Sequence, residues 1–210
     1  MKLLTNLMLL AASIGLAQIQ AVAVPITWDD PVAIKSASQI DAKGVLVHAG
    51  YWGSDPITVD TGSAKILFTG RKICAAGTTD GSAGTTGSGE TGGAFAGDTG
   101  NSNFNKVLDS FAYDGENPRS ATFEGLTKGR SYELQLFALD DRTDSGEADR
   151  PLRFGDKSDF TGSNSKVFKS KDNVFVIGHF KADDVKITIY EDIAQLGNLN
   201  AYVLRDVTAK

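Results

Sequence analysis

The stretch Ser131-Tyr132-Glu133-Leu134-Gln135-Leu136-Phe137-Ala138-Leu139 is the clearest indication of how this chain folds. Its even-numbered residues are all apolar, whereas Glu133 and Gln135 between them are polar. Successive side chains of a β-strand point to opposite faces. The pattern therefore predicts a strand with an apolar face on the even-numbered residues of 132–138 and a polar face that carries Glu133 and Gln135.

The same alternation recurs in seven other short segments, which are separated by clusters of Gly, Asp, Asn and Ser. These segments are residues 44–49, 57–59, 64–68, 120–123, 174–180, 185–190 and 201–207. Many short strands with almost no helix are typical of two packed antiparallel sheets. We therefore predict an all-β fold, an antiparallel two-sheet β-sandwich of the jelly-roll type with one short helix.

One segment has a helical period instead. Its apolar residues are spaced i, i+3, i+4 and i+7, so they would share one face of a helix. These residues are Phe104, Val107, Leu108 and Phe111. Asn103 could act as the N-cap by accepting hydrogen bonds from free backbone N–H groups. We predict a short helix over residues 103–110 that packs across an end or an edge of the sandwich.

The beginning of the chain has the layout of a secretory signal peptide. Lys2 supplies a positive charge, residues 3–16 are mostly apolar, and Ala21-Val22-Ala23 matches a cleavage site. The alternative is a buried N-terminal helix, which would not require this order of features. We expect cleavage after Ala23 and a secreted or periplasmic protein, with one β-sandwich domain over residues 24–210. No second apolar stretch follows, so membrane insertion after cleavage is not expected.

Composition narrows the functional classes. The 26 acidic residues outnumber the 21 basic ones, which argues against nucleic acid or an anionic membrane as partner. Cys74 is the only cysteine, so no internal disulfide forms, and we interpret it as a buried apolar residue. His48 and His179 lie far apart in strand-like segments, and neither indicates a metal site. No nucleophile-elbow, zinc or dinucleotide motif is present.

A glycine-rich loop at about 75–103 interrupts the strand pattern. It contains nine glycines, and Phe95 is its only large apolar residue before the predicted helix. Such a segment buries too little surface to offset its backbone entropy. It is either a flexible spacer or a loop that a ligand orders, and flexibility is the simpler interpretation.

The densest polar cluster follows the strongest predicted strand, and three interpretations are open. Asp140, Asp141 or Glu147 could supply the carboxyl pair of a glycoside-cleaving enzyme. The carboxylates could bind a structural calcium ion, although Arg142 stands where a ligand would be needed. The aspartates could instead pair with Arg142 and Arg150 and hold a surface loop closed, which is the interpretation that we favour.

The aromatic pair Tyr51-Trp52 precedes Gly53 and Pro56 in a predicted loop. Sugars present apolar C–H faces that stack on aromatic rings, so an exposed ring here would form a binding platform. The alternative is that Trp52 caps the core beneath the loop. We predict no catalytic residue and no metal ligand. The candidate ligand-binding residues are Tyr51, Trp52, Asp140, Asp141, Arg142 and Arg150.

Two segments resemble a known group of domains. Residues 125–137, Gly-Leu-Thr-Lys-Gly-Arg-Ser-Tyr-Glu-Leu-Gln-Leu-Phe, resemble the turn and strand of malectin-like and galactose-binding-like β-sandwiches. Residues 198–206, Asn-Leu-Asn-Ala-Tyr-Val-Leu-Arg-Asp, are similar to their closing strand. The layout also resembles that of uncharacterised exported bacterial proteins. The resemblance implies non-catalytic carbohydrate binding, but no sugar-contacting residue of the group can be matched here.

Three functional hypotheses follow. A secreted carbohydrate-binding domain, with an extracellular polysaccharide or glycan as partner, requires Trp52 or Tyr51 exposed in a concavity. A structural or adhesive extracellular protein without a small ligand requires both rings buried and no sizeable pocket. A polysaccharide-acting enzyme requires two carboxyl groups that face each other in a cleft, one with a raised pKa.

Overall fold

The computed structural model describes residues 25–70, 89–91, 93–112, 119–142, 149–193 and 199–208. The predicted signal peptide, Cys74 and Glu147 lie outside these ranges, as does much of the glycine-rich loop. In the part of the chain that the structure describes, no helix has the length and apolar character to cross a membrane.

All eight alternating segments of the sequence form strands, which confirms the predicted β pattern. The described residues form strands β1 (Thr27–Trp28), β2 (Val32–Ala33), β3 (Val45–Tyr51), β4 (Ile57–Asp60), β5 (Lys65–Gly70), β6 (Gly89–Thr91), β7 (Ser110–Ala112), β8 (Arg119–Glu124), β9 (Ser131–Ala138), β10 (Pro151–Gly155), β11 (Phe168–Lys169), β12 (Val174–Lys181), β13 (Lys186–Ile193) and β14 (Ala201–Asp206), and helix α1 (Ser102–Leu108).

Two sheets form the sandwich, as predicted. The large sheet has the order β1-β12-β9-β14-β3-β5-β4, with β2 also paired to β12, and the small sheet has the order β11-β10-β13-β8. Strands β6 and β7 form a separate pair. The large sheet is mixed, not purely antiparallel, because β3 and β5 run parallel while β4 pairs with the far side of β5.

The first core lies between the two sheets. Tyr132, Leu134 and Leu136 point from β9 into this core, which confirms the predicted apolar face, and each is at most 2% exposed. From the small sheet, Phe123 packs edge-on against Tyr202 of β14, with ring centroids 4.8 Å apart. These side chains leave water almost completely, so their burial supplies much of the free energy that joins the sheets.

A second core covers the opposite face of the large sheet. Phe137 of β9 meets Phe104 of α1 there, with ring centroids 5.5 Å apart. Glu133 and Gln135, expected on a half-exposed polar face, are therefore only 8% and 1% exposed. The helix and the 3-10 turn Ala37–Gln39 both contribute side chains to this core, so the central strand β9 is buried on both faces.

Helix α1 packs on this face of the large sheet and contacts its edge strand β4, where Asn103 Nδ2 donates to the Thr58 carbonyl at 2.8 Å. Phe104, Val107 and Leu108 are fully buried, which confirms the predicted apolar face of the helix. The N-cap is Asn101 and not Asn103. The Asn101 side chain accepts hydrogen bonds from the backbone N–H groups of Asn103 and Phe104, which would otherwise lack an acceptor.

A tight turn joins β8 to β9 at one end of the sandwich. Gly125 and Gly129 have φ angles of 82° and 86°, a region that residues with a Cβ atom rarely adopt. The backbone N–H of Thr127 donates to the Tyr132 hydroxyl at 2.7 Å, and the N–H of Gly129 donates to the Ala182 carbonyl at 2.7 Å. These bonds hold the turn against the loop between β12 and β13.

Candidate functional site

The structure buries both rings of the aromatic pair Tyr51-Trp52. Tyr51 lies in the second core at 3% exposure, and Trp52 lies in the first core at 5% exposure. The Tyr51 hydroxyl donates to the Asp55 carbonyl. Burial raises the pKa of that hydroxyl, and the Asp55 carboxylate adds to the effect. Trp52 is thus part of the core, as in the alternative interpretation of the sequence, and neither ring forms an exposed platform, because both faces of the large sheet are covered.

Asp140 and Arg142 form an ion pair beside the second core. Arg142 donates from Nε to Asp140 Oδ1 at 2.9 Å and from Nη2 to Oδ2 at 2.7 Å. The guanidinium carbon lies 4.4 Å from the centre of the Phe111 ring. The Asp140 side chain is only 1% exposed, so the arginine and not water compensates its charge. This matches the interpretation in which the charged residues of the cluster pair with one another.

Asp141 connects two loops. Its carboxylate accepts hydrogen bonds from the Ala96 backbone N–H at 3.1 Å and from Asn173 Nδ2 at 2.8 and 3.0 Å. Its own N–H donates to the Ala94 carbonyl at 2.8 Å. The described end of the glycine-rich loop is therefore ordered by contacts within the protein and does not need a ligand for its order.

The described residues do not form the suggested calcium site. Among them, no group of three or more His, Cys, Asp or Glu side chains is arranged to hold a metal ion. Asp140 and Asp141 accept their hydrogen bonds from protein donors. Arg150 is half-buried, and its carbonyl accepts from the N–H of Ser170 at 3.0 Å. The described part of this cluster thus fastens loops to the sandwich.

A groove of about 1000 Å³ opens at the end of the sandwich where β12 ends and β13 begins. We call it the end groove. Its walls are the β8–β9 turn, residues 156–163 after β10, and the loop between β12 and β13. None of the residues predicted to bind a ligand lines it.

The end groove combines an apolar floor with a charged rim. The apolar residues are buried or half-buried: Ile26, Leu126, Phe180, Ala182 and Ile187. Four lysines on the rim are exposed and form no ion pair with any residue that the structure describes: Lys128, Lys157, Lys181 and Lys186. The half-buried Tyr190 adds an aromatic ring to the lining. Such a surface can pack against apolar C–H groups while cations contact polar or anionic substituents.

Hydrogen bonds fix the groove wall formed by residues 156–163. Trp28 Nε1 donates to the Ser163 carbonyl at 3.3 Å, and the Ser163 hydroxyl donates to the Ile26 carbonyl. The Asp156 carboxylate accepts from the Ser163 N–H at 2.8 Å. The wall is therefore tied to the first strand and is formed without a ligand.

A second polar site lies on the covered face of the large sheet. His179 on β12, Glu133 on β9 and Arg205 on β14 are cross-strand neighbours, and we call them the charged row. Burial raises the pKa of Glu133, and a hydrogen bond and the charge of Asp41 add to the rise, whereas Lys43 and His179 oppose it. Burial also lowers the pKa of Arg205, against the opposing charges of Asp41 and Glu133.

Asp41 and Glu133 are two neighbouring carboxyl groups, one with a raised pKa, and so meet part of the requirement for a catalytic pair. They are not the residues predicted for that role. Their oxygens Asp41 Oδ2 and Glu133 Oε2 are buried and have no hydrogen-bond partner among the described residues. A glycosidase keeps its carboxyl groups about 5 to 9.5 Å apart, so that a sugar or water fits between them. Because both oxygens are buried, a sugar cannot reach them.

Sequence reasoning missed both sites for the same reason. The groove lysines come from four separate segments, and only Lys181 and Lys186 are near each other, on either side of Asp183-Asp184. The charged row contains one residue from each of three strands that are distant in sequence. The sequence shows a charge-rich turn around Asp183-Asp184 and a glutamate, Glu133, in the strongest predicted strand. Neither feature predicts which residues from other segments lie beside it.

Comparison of the chain with protein-family models, curated proteins and solved structures gives no match. The malectin-like resemblance therefore stays a prediction.

Proposed function

We propose that this protein is a secreted, non-catalytic carbohydrate-binding domain that binds an acidic extracellular polysaccharide in the end groove. The supporting observation is an apolar floor beneath four exposed lysines that form no ion pair with described residues. Sugar rings would pack their C–H faces on the floor and on Tyr190. The lysine ammonium groups would pair with carboxylate or sulfate groups on the sugars.

Three aspartates line the groove and reduce its positive charge, namely Asp156, Asp183 and Asp184. Asp156 accepts the N–H of Ser163 at 2.8 Å, and Asp184 accepts the N–H of Val185 at 2.7 Å. The four lysines form no ion pair with the described residues and sit on flexible stems that can follow charges spaced along a polymer. Because the rim is exposed, binding should weaken as salt concentration rises.

The burial of Tyr51 and Trp52 supports the alternative, a structural or adhesive protein without a small ligand. That hypothesis also requires the absence of a sizeable pocket, and the end groove of about 1000 Å³ disagrees with it. A direct binding experiment separates the two.

The test is affinity electrophoresis of the mature protein, residues 24–210, in gels cast with acidic polygalacturonate or neutral dextran. We expect retardation by polygalacturonate only. The triple variant Lys128→Gln, Lys181→Gln, Lys186→Gln should lose it. The matched control Lys35→Gln, Lys65→Gln, Lys106→Gln removes the same charge outside the groove and should keep it. Equal loss in both variants would mean unspecific charge attraction, and no retardation in any gel would support the structural alternative.

A further inference from the structure

Phe160 belongs to the segment that walls the end groove and has a backbone conformation that bulky residues rarely adopt. Its φ angle is 53°, and a positive φ in a residue of this size is a strained outlier. Its N–H donates to the Lys157 carbonyl at 3.1 Å, and its carbonyl accepts from Asn164 Nδ2 at 2.8 Å. Strain that neighbouring groups maintain in this way is concentrated at ligand-binding sites. The position of the Phe160 ring therefore bears on ligand binding.

The ring of Phe160 lies on the outer face of the small sheet. Leu152 and Phe154 of β10 point into the first core. Side chains alternate along a strand, so Arg153 and Gly155 face outward. A Cβ atom on Gly155 would lie 2.8 Å from Phe160 Cδ1, and the Arg153 guanidinium carbon lies 4.7 Å from the ring centre. The ring therefore occupies the space above Gly155 and is covered on one side by Arg153.

Tyr190 of β13 joins this outer face to the end groove. Tyr190 and Gly155 are cross-strand partners, and the side chains of such partners begin about 5 Å apart. Tyr190 therefore begins beside the Phe160 ring, and both residues are half-buried, so water reaches part of each ring. Lys186, Thr188 and Tyr190 are alternate residues of β13, and all three line the end groove. The groove thus continues onto the outer face of the small sheet.

Polar groups with unused hydrogen-bonding capacity flank the two rings. Arg153 binds one oxygen of Asp192 on β13, with Nε 2.8 Å and Nη2 2.7 Å from Oδ2. Arg153 Nη1 and Asp192 Oδ1 make no hydrogen bond with the described residues. On the same face, the hydroxyl groups of Thr122 and Thr188 are 2.9 Å apart. Sugars stack their C–H faces on aromatic rings and direct their hydroxyls at such polar groups.

We propose that Phe160, Tyr190 and the Arg153–Asp192 pair form a second sugar-binding surface, which we call the outer platform. The proposal rests on the proposed function, because the occupant is the same acidic polysaccharide. The groove lysines bind the charges of one part of the chain, and the outer platform stacks the sugar rings of the part that follows. Contact with the second surface is then intramolecular, so a chain that reaches both binds more tightly than one that fills the groove alone.

Phe160→Gly separates the ring from the backbone, because glycine adopts a positive φ without strain. Binding of polygalacturonate to residues 24–210 is measured by isothermal titration calorimetry. We expect an affinity about threefold to tenfold lower for Phe160→Gly, and wild-type affinity for Phe160→Tyr, which keeps a ring. The control Leu67→Ala truncates a side chain of the large sheet that is 52% exposed, and it should bind as the wild type does.

The possible outcomes distinguish the outer platform from the end groove. Wild-type affinity in Phe160→Gly, together with loss of binding in the triple lysine variant, would overturn the outer platform and leave the proposed function intact. Equal losses in Phe160→Gly and Phe160→Tyr would overturn the stacking role of the ring. No binding by the wild type would overturn the proposed function and the outer platform with it.

A second measurement needs no variant and covers the case in which Phe160→Gly fails to fold. The ring protons of Phe160 and Tyr190 are followed by NMR while oligogalacturonate is added to the wild type. We expect both rings to shift, and the ring of Phe154, which is buried in the first core, to stay unchanged. Shifts of Tyr190 without Phe160 would overturn the outer platform and would still place the sugar in the end groove.

Discussion

Trp28 of β1 donates a hydrogen bond of 3.3 Å to the Ser163 carbonyl and stacks on Phe154, with ring centroids 6.4 Å apart. One side chain thus connects the first strand, the first core and the wall of the end groove. Lys166 and Asp30 form an ion pair near the same junction, but both are exposed, and such pairs contribute little. Trp28 therefore holds the wall together with Ser163 and Asp156.

Two substitutions separate the roles of Trp28. Trp28→Phe removes the Nε1 donor and keeps a ring beside Phe154, so we expect a loss of about 0.5–1.5 kcal/mol in the free energy of unfolding. Trp28→Ala also removes the stacking and should cost about 2–4 kcal/mol. Urea unfolding followed by circular dichroism measures both. Equal losses would contradict a packing role for the ring.

Asp140→Ala should be strongly destabilising, because it leaves Arg142 over Phe111 without its buried partner. Breaking such a pair costs about 2–4 kcal/mol, since one partner here is partly exposed. Asp149→Ala is the matched control: Asp149 is exposed and pairs with Lys169 and Lys171, so its loss should change stability little. Similar urea midpoints for the two variants would contradict the interpretation of Asp140 as a loop clamp.

Asn101 and Asn103 offer a second matched comparison. Asn101 caps α1 and donates from Nδ2 to the Asp60 carbonyl at 2.8 Å, whereas the Asn103 side chain donates to the Thr58 carbonyl at 2.8 Å. Asn101→Ala should cost about 1–2 kcal/mol in the free energy of unfolding, and Asn103→Ala less. A lower thermal midpoint for Asn103→Ala than for Asn101→Ala would contradict the assignment of Asn101 as the N-cap.

Two carboxyl groups should shift the pH dependence of stability in opposite directions. Burial opposes the shift at Asp206, but hydrogen bonds from Thr208 and the Arg130 guanidinium, whose Nε lies 2.6 Å away, lower its pKa below the ordinary 3.8. Its stabilisation is present above that value and is lost as pH falls through the folded-state pKa. Asp206→Asn should therefore be less stable than wild type at neutral pH and should converge with it in acid.

The opposite sign applies to Glu133, whose pKa is raised. The stability of Glu133→Gln relative to wild type should rise as pH increases above the ordinary glutamate range, because only the wild type must then ionise a buried carboxyl group. Urea midpoints at a series of pH values measure both variants. Parallel curves for wild type and Glu133→Gln would contradict the raised pKa.

The strand pattern could be predicted from sequence because alternation is a local property of each segment. For β9 it predicts which side chains face the first core, and Leu134 and Leu136 are buried there. It does not predict that Glu133 and Gln135 are buried too, because residues 39–43, from a distant part of the chain, contact both side chains. Polar residues that alternate with apolar ones show only that they lie on the opposite face of the strand. Tertiary packing decides whether water reaches that face.

The site could be predicted less well, for the same physical reason. Adjacent residues of a strand point to opposite faces, so one of Tyr51 and Trp52 seemed free to face solvent. With both faces covered, both rings are buried. Asp140 and Arg142 were predicted to pair, and they do. The end groove forms where the β8–β9 turn, residues 156–163 and the end of β12 meet. No local sequence pattern predicts that these three segments lie together.

Lysine footprinting shows directly whether an acidic polysaccharide occupies the end groove. The folded protein is acetylated with limiting reagent, with and without polygalacturonate, and the modification of each lysine is measured by mass spectrometry. We predict protection of Lys128, Lys157, Lys181 and Lys186, with unchanged labelling of Lys35, Lys65 and Lys106. Uniform labelling of all seven, or protection confined to lysines outside the end groove, would contradict acidic polysaccharide binding in the end groove.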